Sequence, residues 1–362
     1  MSAPVPVLCG VELGGTRCVC LLGTGPDHIL AQASLPTGAD PAVTIERMAA
    51  VLKDWRSAHG PIAALGVASF GPLDLDTTSA TYGFITSTPK PGWRRTDVLG
   101  PLSRACPVPV GFDTDVNGAA LAEGRWGAAR GCHSYAYVTV GTGIGVGLVV
   151  GGRPARGFSH PELGHIRVVR RAGDGWKGAC SFHGDCVEGL ASAVAIERRT
   201  GRCAAELPPD DPAWELVAHA LGQLLHTLVL ATAPQRILLG GGVMNGQAHL
   251  FDRLRRELQQ SLNHYIEVPE VGAQIADCVR PPGLRDLGRS ARCAGRRGGR
   301  ARSRMARSLT AEPARHGASC ATVSTAVQWN CRHEIIQGAG NPATGRRSRR
   351  SPAPQRLAGH PQ

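Results

Sequence analysis

Two glycine-rich turns, each set between apolar, β-rich runs and about 125 residues apart, constrain this chain more than any other feature. The first is Glu12-Leu13-Gly14-Gly15-Thr16, between Val5–Val11 and Cys18–Leu22. The second is Gly141-Thr142-Gly143-Ile144-Gly145-Val146-Gly147, inside Tyr135–Val150. Either alone describes an ordinary tight hairpin. As a pair they predict a duplicated α/β fold in which each half turns backbone N–H groups toward a phosphate. A third glycine run, Gly240-Gly241-Gly242, follows the short apolar strand Arg236–Leu239, where a flat base or ribose could approach the backbone closely.

Between these turns the periodicity alternates between strand and helix. Pro41–His59 has helical spacing and ends at Gly60, and Ile62–Ser69 reads as a strand. A Pro-rich loop, Ser87–Trp93, then leads through a helix-like segment to a strand at Val108–Phe112. Asp113-Thr114-Asp115-Val116-Asn117 follows that strand, with a helix expected to start over Gly118–Trp126. Pro212–Thr232 and Gly246–Ile266 read as two further helices.

The net charge of +12 suggests a nucleic-acid partner until its location is considered. From Gly288 onward there are fifteen Arg, no Lys and two acidic residues, so residues 1–287 are nearly neutral. The basic tail has neither the spacing nor the aromatic residues of a nucleic-acid surface, so nucleic acid is not an expected partner. It shows little sustained period and reads as disordered, or as the product of a shifted reading frame near Leu287. Three segments are therefore expected: 1–117, 118–287 and the tail 288–362. No stretch has the pattern of a leader or the roughly 20 apolar residues of a membrane span. The expected location is the cytoplasm, with most of the twelve cysteines reduced.

Asp115 is the candidate general base, because a carboxylate just beyond a strand can take a hydroxyl proton as that oxygen attacks phosphorus. The competing role for Asp113 or Asp115 is to cap the next helix. Cys180, His183 and Cys186, with His165 upstream, have the ligand types and spacing of a closed tetrahedral zinc site, which is structural because it leaves no open position. Such a site would hold the loop that carries Glu162, His165 and Glu188, polar groups suited to sugar hydroxyls.

Glu12–Arg17, Asp115-Val116-Asn117, Pro161-Glu162-Leu163-Gly164-His165, Cys180–Glu188 and Gly240–Gly242 occur in the order found in ROK sugar kinases, and the chain resembles that family over about residues 7–287. The Cys-x-x-His-Gly-Asp-Cys form, Glu12 before Leu-Gly-Gly-Thr, and Thr88-Pro89-Lys90-Pro91-Gly92-Trp93 resemble the family's fructokinases in particular. The resemblance implies an actin-like (ribonuclease H-like) fold of two domains around a cleft, and ATP-dependent phosphorylation of fructose at its 6-hydroxyl. Glucokinase or mannokinase activity, or sugar binding without turnover, are the alternatives.

It further implies that Asp115 is the base and that Asn117, Glu162, His165 and Glu188 bind the sugar. Gly14, Gly15, Thr16, Thr142 and Gly143 would bracket the ATP phosphates with Mg²⁺, and Gly240, Gly241 and Gly242 would lie near the adenosine. His165, Cys180, His183 and Cys186 would bind zinc, and the protein would be a homodimer. Arg17 stands where the family commonly has Lys, Ser192-Ala193-Val194 replaces an expected Ser-Gly-Pro, and the Arg-rich tail replaces the family's last helix.

Overall fold

The computed structural model describes residues 5–266 and 275–277; the expectations for the Arg-rich tail lie outside the described residues. In chain order the elements are β1 (Leu8–Leu13), β2 (Arg17–Gly25), β3 (His28–Pro36), α1 (Pro41–His59), β4 (Ala64–Ser69), β5 (Phe84–Ile85), β6 (Thr96–Asp97), α2 (Leu99–Ala105), β7 (Val110–Thr114) and α3 (Asp115–Arg125). They continue with β8 (Tyr135–Val140), β9 (Ile144–Val150), β10 (Arg153–Pro154), α4 (Val187–Ala191), α5 (Ala193–Thr200), α6 (Ala213–Thr232), β11 (Arg236–Gly240), α7 (Gly242–Gly246), α8 (His249–Leu262) and β12 (Ile275–Asp277).

The predicted duplication is visible in the topology. One sheet has the order β3-β2-β1-β4-β7 and the other β10-β9-β8-β11-β12. In each, an antiparallel hairpin and a third antiparallel strand are followed by two strands parallel to the hairpin's first strand. This is the duplicated ribonuclease H-like architecture that the resemblance implies. Each sheet has its own core. Leu13, Leu22, Leu52, Leu65 and Trp93 centre the first, with α1 and α2 against the sheet. Leu221, Leu224, Leu239, Leu254 and Trp214 centre the second, where α6 packs on α4 and α8.

Local chemistry sets the element ends. Asp40 caps α1 by accepting from the N–H groups of Ala42 and Val43, Pro41 occupies the first turn, and Gly60 at φ 80° ends the helix. The strand β3 escapes a search for apolar runs because it alternates: Ile29, Ala31, Ala33 and Leu35 face inward, while the residues between them are exposed.

Two helix boundaries differ from expectation. Helix α3 starts at Asp115, three residues before Gly118, because the side chain of Thr114 accepts from the Asn117 N–H and caps it there. The helix expected over Gly246–Ile266 is α8, which runs only from His249 to Leu262; Gly246 instead ends the short α7, and Gln247, between the two, uses its amide on the Ala204 carbonyl.

Candidate active site

The parallel strands place the chemistry at one edge of each sheet. Leu13 of β1 pairs with Ser69 of β4, which pairs with Thr114 of β7, so Glu12 and Asp115 lie at neighbouring carboxyl ends. Ligands of open α/β sheets bind at such ends. In the second sheet Thr139 of β8 pairs with Gly240 of β11, which puts the Gly141–Gly143 and Gly240–Gly242 turns side by side. The backbones are close enough that a Cβ on Gly141 would fall 4.0 Å from the Gly242 N, and one on Gly241 2.5 Å from the Val140 O. Gly241, at φ 93°, has a backbone conformation that any side chain would strain.

Asp115 is not the cap of its helix, since Thr114 fills that role. Its Oδ1 accepts from the Val116 N–H at 2.8 Å, and burial nonetheless pushes its pKa up to about 6. Glu12 is pushed up to about 8 by burial and then by the charge of Asp115, and its Oε2 is buried with no hydrogen-bond partner. Glu162 rises to about 7 through burial, Asp115 and Glu188. The charge of Asp115 therefore reaches both a carboxylate of the first sheet and one from the loop that follows β10. The helix it begins is seated against the second sheet, where a Cβ on Gly147 would meet the Val116 O at 2.0 Å.

Asn117 is buried, and its amide Nδ2 donates to Asp113 Oδ1 at 2.8 Å. Arg156 donates to the other Asp113 oxygen at 2.7 Å, and the ring Nε2 of buried His160 accepts from the Leu73 N–H at 2.9 Å. These two contacts tie the segment between β10 and Glu162 to the first half. Neither Arg156 nor His160 was singled out from sequence, and nothing local to either residue signals its partner.

His165, Cys180, His183 and Cys186 come together with one ligand atom from each lying within 4.8 Å of all the others. His165 Nδ1 is 3.3 Å from His183 Nδ1, 3.5 Å from Cys186 Sγ and 3.7 Å from Cys180 Sγ. A tetrahedral zinc with bonds of about 2.0 Å to nitrogen and about 2.3 Å to sulfur requires separations of about 3.3–3.8 Å between ligands, so these residues fit the ion. Glu188, two residues beyond Cys186, uses its Oε2 to accept from the Ile144 N–H at 3.0 Å, in the second glycine turn. Ser192 resolves the unusual sequence after this loop by ending α4 and capping α5, while the Ala193 N–H donates to the Gly141 O.

Gly14, Gly15 and Thr16 form the first turn, closed by the Gly14 N–H on the Arg17 O at 3.0 Å and by Thr37 Oγ1 on the Gly14 O at 2.7 Å. Gly15, Thr16 and Thr142 are exposed. Arg17 donates to Ser34 of β3 rather than reaching over the turn.

The chain is similar over most of its described length to known sugar kinases. A fructokinase of Zymomonas mobilis is 41% identical over 280 residues, 76% of this chain and 91% of that protein. A fructokinase of Pediococcus pentosaceus is 39% identical over 278 residues, 77% of this chain and 93% of that protein. Among solved structures, the ROK hexokinase of Thermus thermophilus superposes with a TM-score of 0.62 at 30% identity, covering 75% of this chain and 93% of that one. The ROK family model matches residues 8–284, and the chain belongs to the ROK family.

Proposed function

We propose that this protein transfers the γ-phosphoryl group of ATP to the 6-hydroxyl of fructose, giving fructose 6-phosphate and ADP. The observation that carries the reading is the place of Asp115 at the carboxyl end of β7, where burial raises its pKa to about 6 and its charge reaches Glu12 and Glu162, so that it is suited to accept a hydroxyl proton near neutrality. The identity to fructokinases over more than nine-tenths of their length supports the choice of reaction.

In this reading the sugar oxygen attacks the γ-phosphorus, its proton passes to Asp115, and the bond from that phosphorus to the β-phosphate oxygen breaks. Glu162, His165 and Glu188 orient the sugar, together with the Asp113–Asn117 pair beneath Asp115. Gly14, Gly15, Thr16, Thr142 and Gly143 hold the phosphates, and Gly240–Gly242 leave room for the adenosine. Mg²⁺, when bound with ATP, neutralises charge on the phosphate oxygens. Zinc held by His165, Cys180, His183 and Cys186 would be structural, fixing the loop that presents Glu188.

The test is ADP release by the full chain with a panel of hexoses. Fructose should give the highest kcat/KM. A higher value for glucose or mannose would move the assignment to that sugar, and no ADP release with any hexose would remove the kinase reading.

A further inference from the structure

The segment Thr88–Trp93 crosses the first half to reach its glycine turn. Lys90 ends there, with Nζ 2.7 Å from the Gly15 carbonyl oxygen. The contact spans 75 residues of sequence and is held from below. Thr88 is buried, and its hydroxyl accepts from the Lys90 N–H; the Lys90 carbonyl in turn accepts from the Trp93 N–H. Trp93 is fully buried, edge-on to Phe70, with Nε1 donating to the Gly38 O at 2.9 Å. Gly92, at φ 83°, lies so close to the chain before α1 that a Cβ would meet the Ala39 O at 2.5 Å. The backbone under Lys90 is therefore fixed, while the side chain is a flexible stem ending in three donors.

One of those donors is used on Gly15, which leaves two at the mouth of the turn. Arg17, the cation nearest in sequence, is directed to Ser34 on the opposite side of the hairpin. Lys90 thus supplies the positive charge at this turn.

We propose that Lys90 is a catalytic residue whose ammonium group donates hydrogen bonds to the phosphoryl group in flight from ATP to the sugar. The proposal rests on the phosphoryl-transfer reading above. Lys90 forms and breaks no covalent bond; it stabilises charge on the phosphoryl oxygens while the proton goes to Asp115 and the electron pair leaves with ADP. A donor anchored beside charge that develops during reaction, as the Lys90 ammonium is by the Gly15 O, contributes about 100-fold or more to kcat.

The test compares the full chain with Lys90→Met, which keeps the stem, and Lys90→Arg, which keeps the charge. Three readouts are taken: kcat with fructose, affinity for ADP, and affinity for ADP with aluminium fluoride in the presence of fructose. Lys90→Met should lower kcat about 100-fold and weaken the aluminium fluoride complex to a similar degree, with ADP affinity within about 2-fold of the parent. Lys90→Arg should recover part of the loss. If kcat is unchanged in Lys90→Met, or if ADP affinity and Tm fall as far as kcat does, Lys90 is a strut for the turn and the proposal is wrong. Parent protein that releases no ADP with any hexose fails the kinase reading itself, and is seen before any variant is compared.

Discussion

Glu188 Oε2 accepts a hydrogen bond from the Ile144 N–H at 3.0 Å, so the helix that Cys186 caps is bound directly to the second glycine turn. The turn is gripped from the other side as well, because a Cβ on Gly164 would lie 1.9 Å from the Ile144 O. The His/Cys cluster and the proposed phosphate cradle are thus one mechanical unit.

Removal of the metal should therefore affect the nucleotide as well as the sugar. The purified protein should contain one equivalent of zinc. Its chelation, or Cys186→Ser, should lower Tm and weaken binding of a non-hydrolysable ATP analogue several-fold. Metal analysis and calorimetry check this, and unchanged nucleotide affinity in zinc-free protein would separate the two sites.

Asp115 sets an acid limit on the rate. A base must be ionised, and with its pKa at about 6 the rate should fall toward tenfold per pH unit below that value. The linkage to stability has the opposite sense. Because the folded protein binds this proton more tightly than the unfolded chain, the group's contribution is greatest below about pH 4 and declines as pH rises through 6. Asp115→Asn should therefore stabilise the protein at pH 7, on the order of 2 kcal/mol, measured as a rise in Tm across a pH series.

Gly241→Ala should be costly although it adds only a methyl group. The residue has φ 93°, and the Cβ would fall within 2.7 Å of three Val140 backbone atoms. A loss of about 2–4 kcal/mol in denaturant unfolding is expected, together with weaker nucleotide binding.

Arg156→Ala removes the cation from a carboxylate, Asp113, that is only 5% exposed. Arg156 is itself 39% exposed, which limits the cost to about 1–3 kcal/mol. Urea titrations of the parent and the variant measure it.

What could be read from the sequence was local. Helix α1 runs over the predicted Pro41–His59 and stops at the predicted Gly60, and the two hairpins with their glycine turns announce the duplication. The spacing of Cys180, His183 and Cys186 identifies three members of the metal cluster because they lie on one loop. The start of α3 differs from the expected Gly118 because Thr114, between two aspartates that are equally good caps by residue type, is the one whose side chain reaches the Asn117 N–H. Strand β3 was missed because its inward positions are partly small, Ala31 and Ala33, and give a weak alternating signal. Lys90 on Gly15, Glu188 on Ile144 and His160 on Leu73 join residues 75, 44 and 87 positions apart, and such pairings exist only once the chain has folded.

The most direct test is the transfer of labelled γ-phosphate from ATP to fructose by the parent chain and by Asp115→Asn, with the product identified by phosphorus NMR. The account predicts fructose 6-phosphate from the parent and a fall of at least 100-fold in kcat for the variant, which still binds fructose. Undiminished transfer by Asp115→Asn, or a phosphate placed on another hydroxyl, would contradict it.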